Sequence, residues 1–174
     1  NQWELPTHLE TLKYRILAAP KEFKEDYSRR NIKSLQKKVN SKPSWGILTP
    51  QHLLEHLEHG YKIMSGEIQD FEIATPSTIL DKVHNSLYNY EKFPLGTNFP
   101  TMKKGEVEDL VHPDFDTAKA KFFEARAQYK AFFTENPEAV LKNMVFGELN
   151  KYESYLLERK HLNHHFEQFG LINN

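Results

Sequence analysis

The stretch TPQHLLEHLEHGYKIMSG, residues 49–66, has the pattern of one amphipathic helix, with a start signal and an end signal. Thr49 is a favourable N-cap, Pro50 suits the first helical position, and Gly66 can end the helix. The apolar residues between these ends recur at helical spacing and are Leu53, Leu54, Leu57, Tyr61 and Met64. The pattern predicts a helix from Thr49 to about Ser65.

Three further helices are predicted from apolar spacing and from end signals. They cover about residues 22–40, 116–134 and 148–169, and Gly170 can end the last of them. A shorter helix over residues 9–18 can precede the first. The predicted helices therefore account for most of the chain.

A long connection, residues 67–114, separates the second and third predicted helices and holds four prolines and a short helical pattern at 77–90. Connections of this length often form a lid or a pocket wall, and the alternative is a surface excursion. No alternating apolar run indicates a strand. We therefore expect an all-α fold, a four-helix bundle in one domain over residues 1–174.

The composition narrows the classes of function that remain. The 174 residues are 39% hydrophobic and 27% charged with a net charge of −1, which is typical of a globular domain and gives no field for nucleic acid or an anionic membrane. No apolar run is long enough to span a bilayer, and no leader pattern opens the sequence, so we expect a cytoplasmic location. Because the chain has no cysteine, any metal site must use His, Asp or Glu.

Histidines cluster in the second and fourth predicted helices. A rotation of about 100° per residue indicates which of them lie on the same face of a helix. His56 lies nearest the apolar stripe of its helix, whereas His52 and His59 turn further towards solvent. His161 and His165 are four residues apart on one face, a spacing at which two imidazoles can bind one ion. The intervening His164 points about 100° away from His165.

These positions suggest a divalent metal site formed by His56, His161 and His165. Neutral imidazole binds zinc, nickel, copper or iron(II), and three histidines leave a coordination position open, as catalytic sites do. Glu158 precedes His161 by three residues and can act as a ligand, orient a histidine or serve as a general base. Three alternatives remain: structural histidines in a non-catalytic bundle that dimerises or binds a partner, a pH-responsive patch, and Glu158 as a solvated residue.

The two motifs LTPQHLLEHL and KHLNHHFEQFG, at residues 48–57 and 160–170, resemble the DinB-like (YfiT-like) superfamily of proposed metalloenzymes. The terminal motif of that superfamily reads roughly His-x-x-His-His-x-x-Gln, which matches residues 161–168. A bacterial subgroup of unknown function is similar in both motifs and in Trp45 and Gly46. The motifs cover about an eighth of the chain, and the superfamily's usual Arg-Gly before the Gln is Phe166-Glu167 here.

The resemblance implies a four-helix bundle that binds zinc or nickel through His56, His161 and His165, often as a homodimer. Relatives in the superfamily include thiol-dependent S-transferases, a mycothiol-dependent isomerase and hydrolases. The expected function is therefore hydrolysis or thiol transfer on an unknown small molecule, with Glu158 as a base. The departure at Phe166-Glu167 argues against a specific thiol cofactor.

Overall fold

A mostly helical fold is found in the computed structural model, which describes residues 28–89, 91–94 and 105–172. The helices are α1 (Ser28–Gln36), α2 (Pro50–Met64), α3 (Ser77–Asn85), α4 (Phe115–Glu135) and α5 (Lys151–Gln168). One 3₁₀ turn, Ser86–Tyr88, follows α3, and the strands β1 (Leu141–Asn143) and β2 (Gly147–Leu149) form an antiparallel hairpin. The predicted helical class is confirmed. The hairpin was not expected.

Helix α2 begins and ends where the sequence predicts. The Thr49 hydroxyl accepts a hydrogen bond from the His52 backbone N–H, and Pro50 occupies the first turn. The helix ends at Met64, and Gly66 follows with a φ of +80°, a left-handed conformation that favours glycine. The sequence signals at the two ends were therefore sufficient to predict where α2 begins and ends.

Helix α5 begins later than predicted, because residues 147–149 pair with residues 141–143 instead of joining the helix. Asn150 caps the helix: its side chain accepts from the Glu153 N–H, and Glu153 accepts from the Asn150 N–H in return. In the hairpin turn, Asn143 Oδ1 accepts from the N–H groups of residues 145 and 146. Strands of three residues are too short to show alternation, which explains why the hairpin was missed.

The main core joins four helices and positions α2 beside α5. Its buried side chains come from α1, α2, α4 and α5, and Tyr61 and Phe122 are among the largest. A second cluster of buried residues, built around Leu87 and Phe146, lies between the 3₁₀ turn, the hairpin and the start of α5. Together the two clusters bury much of α5, including most of its polar residues.

The long connection is attached to α5 by polar contacts. His84 bonds the Phe146 carbonyl through Nδ1 and the Glu153 carboxylate through Nε2, and the Tyr88 hydroxyl donates to the same carboxylate. Lys160 Nζ donates to the carbonyls of residues 86 and 89. His84 is therefore a half-buried residue that connects the long connection to α5 and to the hairpin.

Some predicted elements differ in length or lie outside the described residues. The first predicted helix, 22–40, is helical only to Gln36 in its described part, and residues 37–40 form a turn. Its first six residues, the predicted 9–18 helix and Tyr90 lie outside the described ranges. Within those ranges, no helix combines the length and apolar content that crossing a membrane requires.

We predict that Asn150→Ala lowers the free energy of unfolding by about 1 kcal/mol, because it removes the N-cap of α5. Urea denaturation measures the change. Asn85→Ala is a matched control at the exposed end of α3 and should change stability by less than about 0.5 kcal/mol. Equal losses in both variants would contradict the capping role.

Candidate metal centre

Three imidazole nitrogens converge between α2 and α5. His161 Nε2 lies 3.0 Å from His56 Nε2 and 3.0 Å from His165 Nε2. All three ligand atoms lie within 4.8 Å of one another. The structure thus brings together the three histidines that the sequence analysis selected.

These separations fit a divalent ion. Metal–imidazole bonds of ~2.0–2.1 Å place two nitrogens ~3.0 Å apart at a right angle and ~3.4 Å apart at a tetrahedral angle. The observed separations of 3.0 Å for His161 to His56 and to His165 match the smaller angle. A group of this kind can hold a metal ion, and within the described part of the chain it is the one group of three or more His, Asp or Glu ligands that converges.

Two helices supply the three side chains. His161 and His165 are one helical turn apart on α5, and α2 contributes His56 from the facing side. Gly60, one turn after His56, faces the His161 ring, and a Cβ added there would lie 3.8 Å from His161 Cε1. A long side chain at position 60 would therefore meet the imidazole.

Gln168 fixes the orientation of His165. Its Oε1 lies 2.8 Å from His165 Nδ1, and its Nε2 donates to the Trp45 carbonyl at 2.9 Å. Because the amide nitrogen of Gln168 is the donor to Trp45, its oxygen accepts and His165 Nδ1 carries the proton. The lone pair of neutral His165 is then on Nε2, which faces the other two imidazoles.

The Trp45–Gly46 turn holds Gln168 in place. The Ser44 N–H donates to the Gln168 carbonyl at 2.8 Å. Gly46 has a φ of +75°, and a Cβ there would lie only 3.0 Å from Gln168 Nε2, so both the conformation and the close approach require glycine. The sequence analysis had noted Trp45 and Gly46 only as part of a resemblance.

Burial keeps the three imidazoles neutral. The pKa of His56 falls from 6.5 to about 4, chiefly because of burial and also because His59 and His164 lie nearby. Burial also holds the pKa values of His161 and His165 well below 6.5, as does the proximity of the other imidazoles. Neutral imidazole is the form that binds metal ions.

His164 lies beside the cluster but does not belong to it. Its ring contacts the Trp45 ring edge-on, with centroids 5.6 Å apart, and lies 6.1 Å from the Phe93 ring. His164 is half-buried, and burial lowers its pKa. The residue is therefore an aromatic packing partner, in agreement with its exclusion from the ligand set.

Glu158 is buried, with 2% of its surface exposed, among groups of the core. The Tyr61 hydroxyl donates to its Oε1 at 3.3 Å, and Arg126 Nε lies 4.0 Å from the same oxygen. Burial and the Glu158 charge raise the pKa of Tyr61 well above 10.0. These contacts join α5 to α2 and α4, and the role of Glu158 as a base stays a prediction.

A cavity of about 200 Å³ is lined in part by His56, one of the three clustered histidines. Helix α2 lines one side with His52, Glu55 and His59, and residues 108–112 line the other. This placement supports the interpretation of part of the long connection as a pocket wall. His59 is exposed and His52 half-buried, as their predicted rotation towards solvent implies, and both side chains also line the cavity.

Three contacts attach the 108–112 wall to α2. The Val111 N–H donates to Glu55 Oε1 at 2.5 Å, and Gln51 Nε2 donates to the His112 carbonyl at 2.9 Å. His112 Nε2 lies 2.6 Å from Glu58 Oε2. His112 is thus a half-buried residue of the cavity wall.

Comparison with models of known protein families, with curated proteins and with solved structures gives no match. The DinB-like resemblance therefore stays a prediction that rests on the two motifs.

We predict that metal-free protein loses stability as the pH falls from about 6.5 to about 4. In this window His56 is protonated in the unfolded chain but not in the folded chain, so the unfolded state binds more protons. The free energy of unfolding therefore decreases as the pH is lowered. Each such histidine contributes up to ~1.4 kcal/mol per pH unit. Urea denaturation at several pH values should give a slope that is smaller by about one proton in His56→Gln. Identical slopes in the two proteins would count against a buried neutral His56.

We further predict that Gln168→Leu weakens zinc binding by about 10- to 100-fold, because His165 loses the acceptor that orients its ring. Gln168→Glu keeps an oxygen for His165 but loses the donor to the Trp45 carbonyl, so it should lose less affinity than Gln168→Leu. Competition with a chromophoric chelator measures both. If the two variants lose affinity equally, the orienting role of Oε1 is wrong.

Proposed function

We propose that the protein is a metal-dependent enzyme that acts on a small molecule, with zinc or nickel held by His56, His161 and His165. The observation that carries the proposal is the convergence of three imidazoles beside a cavity, with His161 Nε2 3.0 Å from His56 Nε2 and 3.0 Å from His165 Nε2. Three protein ligands leave at least one coordination position for substrate or water, as in catalytic zinc sites.

The proposed chemistry assigns separate roles to the ion and to the chain. When bound, a divalent ion supplies Lewis-acid chemistry by withdrawing electron density from a substrate oxygen or from water. The three histidines hold the ion, and Gln168 holds His165 in the tautomer that binds it. The cavity beside His56 admits the substrate.

Hydrolysis is the better-supported reaction of the two that the sequence suggested. The chain has no cysteine, so thiol transfer would need a thiol co-substrate. A thiol that carries carboxylates would meet a cavity lined by four carboxylate side chains and one lysine. Like charges disfavour binding of such a thiol.

The fold is consistent with a DinB-like bundle, which we include in the proposal. Helices α1, α2, α4 and α5 contribute to one core, and the short α3 belongs to the connection between α2 and α4. The ligands come from facing helices, as in other helical bundles that bind metals.

We predict that purified wild-type protein, reconstituted with zinc and desalted, holds about one ion per chain, whereas His161→Ala holds almost none. Elemental analysis by mass spectrometry measures the content. His164→Ala and His59→Ala are controls that remove a neighbouring imidazole outside the ligand set, and both should keep the ion. Equal content in wild type and His161→Ala would overturn the site.

Catalysis requires a separate test. Zinc-loaded protein should hydrolyse at least one member of a panel of small chromogenic esters and amides, and a chelator or His161→Ala should abolish that activity. Turnover that persists in His161→Ala would contradict the metal mechanism. Tight zinc binding without any metal-dependent turnover would favour a non-catalytic bundle.

A further inference from the structure

The cavity beside His56 carries an uneven distribution of charge. Its carboxylates are Glu55, Glu58, Glu108 and Asp109, and its one lysine is Lys62. Lys62 Nζ lies 3.3 Å from Glu58 Oε1, so the opposite charges of these two side chains cancel. The remaining three carboxylates have no cationic partner among the residues that the structure describes.

The bonds that these carboxylates do make leave their charge in place. Glu55 accepts from two neutral donors, the Val111 N–H at 2.5 Å and the Gln51 amide at 3.1 Å. Glu108 and Asp109 are exposed at the wall of the cavity. A hydrogen bond from a neutral group orients a carboxylate without neutralising it, so the cavity keeps a negative potential.

A second metal ion is not the group that fits these carboxylates. Among the described residues, they form no set of three ligand atoms close enough to share an ion. An organic ammonium group is larger and can contact carboxylates that lie further apart. Leu48, Ile68 and Val111 add apolar lining for an alkyl segment.

We infer that the cavity binds a small organic cation, an ammonium or amidinium group on a short alkyl chain, and presents the adjoining part of that molecule to the metal centre. This inference rests on the proposed function and names its substrate class. His56 belongs both to the cavity lining and to the three-histidine group, so a molecule held by the carboxylates lies next to the ion.

The test compares three four-carbon probes that differ in charge: 1,4-diaminobutane, succinate and 1,4-butanediol. Each is titrated calorimetrically into zinc-loaded wild-type protein at low ionic strength, and zinc content is measured on the same samples. The diamine should bind and raise the melting temperature, because it binds the folded state. Succinate and the diol should not bind, and added salt should weaken diamine binding.

Two double variants locate the binding site. Glu108→Gln with Asp109→Asn removes two carboxylates of the cavity and should weaken diamine binding by about tenfold. Glu135→Gln with Glu138→Gln makes the same change in charge at exposed positions outside the cavity and should leave binding within about twofold. Both pairs are exposed, so neither should affect folding.

The outcomes separate the two proposals. Succinate binding as tightly as the diamine, no diamine binding at all, or equal loss in both double variants would overturn the cation site while zinc content still supports the metal centre. Absence of zinc from the wild type would overturn the proposed function, and diamine binding to the metal-free protein would still decide whether the cavity selects cations.

Discussion

His56, His161 and His165 are buried as neutral imidazoles with their Nε2 atoms close together, and this arrangement constrains what the neighbouring residues must provide. Protonating them is unfavourable, because burial and the neighbouring rings both lower their pKa values. Three lone pairs that point at one place also repel one another unless a proton or an ion lies between them. A cluster built in this way therefore favours occupation by a cation that binds imidazole.

The surrounding elements satisfy this constraint by fixing geometry. The Trp45–Gly46 turn holds Gln168, and Gln168 holds His165. The contacts of Glu158 with Tyr61 and Arg126 join α5 to α2 and α4 in the core below the cluster. Ligands set on rigid helices and oriented by neighbouring groups are the usual basis of a selective metal site.

Helical rotation alone was enough to predict the helix faces on which His56, His161 and His165 lie, because it depends only on spacing within each helix. Spacing within one helix cannot predict the hydrogen-bond partners that come from other parts of the chain. The bonds from Trp45 to Gln168 and from His112 to Glu58 link residues far apart in sequence. The hairpin before α5 was missed for a related reason: pairing of three-residue strands is decided by a turn and not by a pattern. The i,i+3 spacing of His165 and Gln168 was the one signal in the sequence that could have revealed the orienting residue.

X-ray absorption spectroscopy of zinc-loaded protein can show directly whether all three histidines bind one ion. Three imidazole ligands are expected at ~2.0–2.1 Å, with one or two additional light-atom ligands. The imidazole rings should be visible through their multiple scattering. A spectrum that requires fewer than three imidazoles would contradict the assignment of His56, His161 and His165 to a single site.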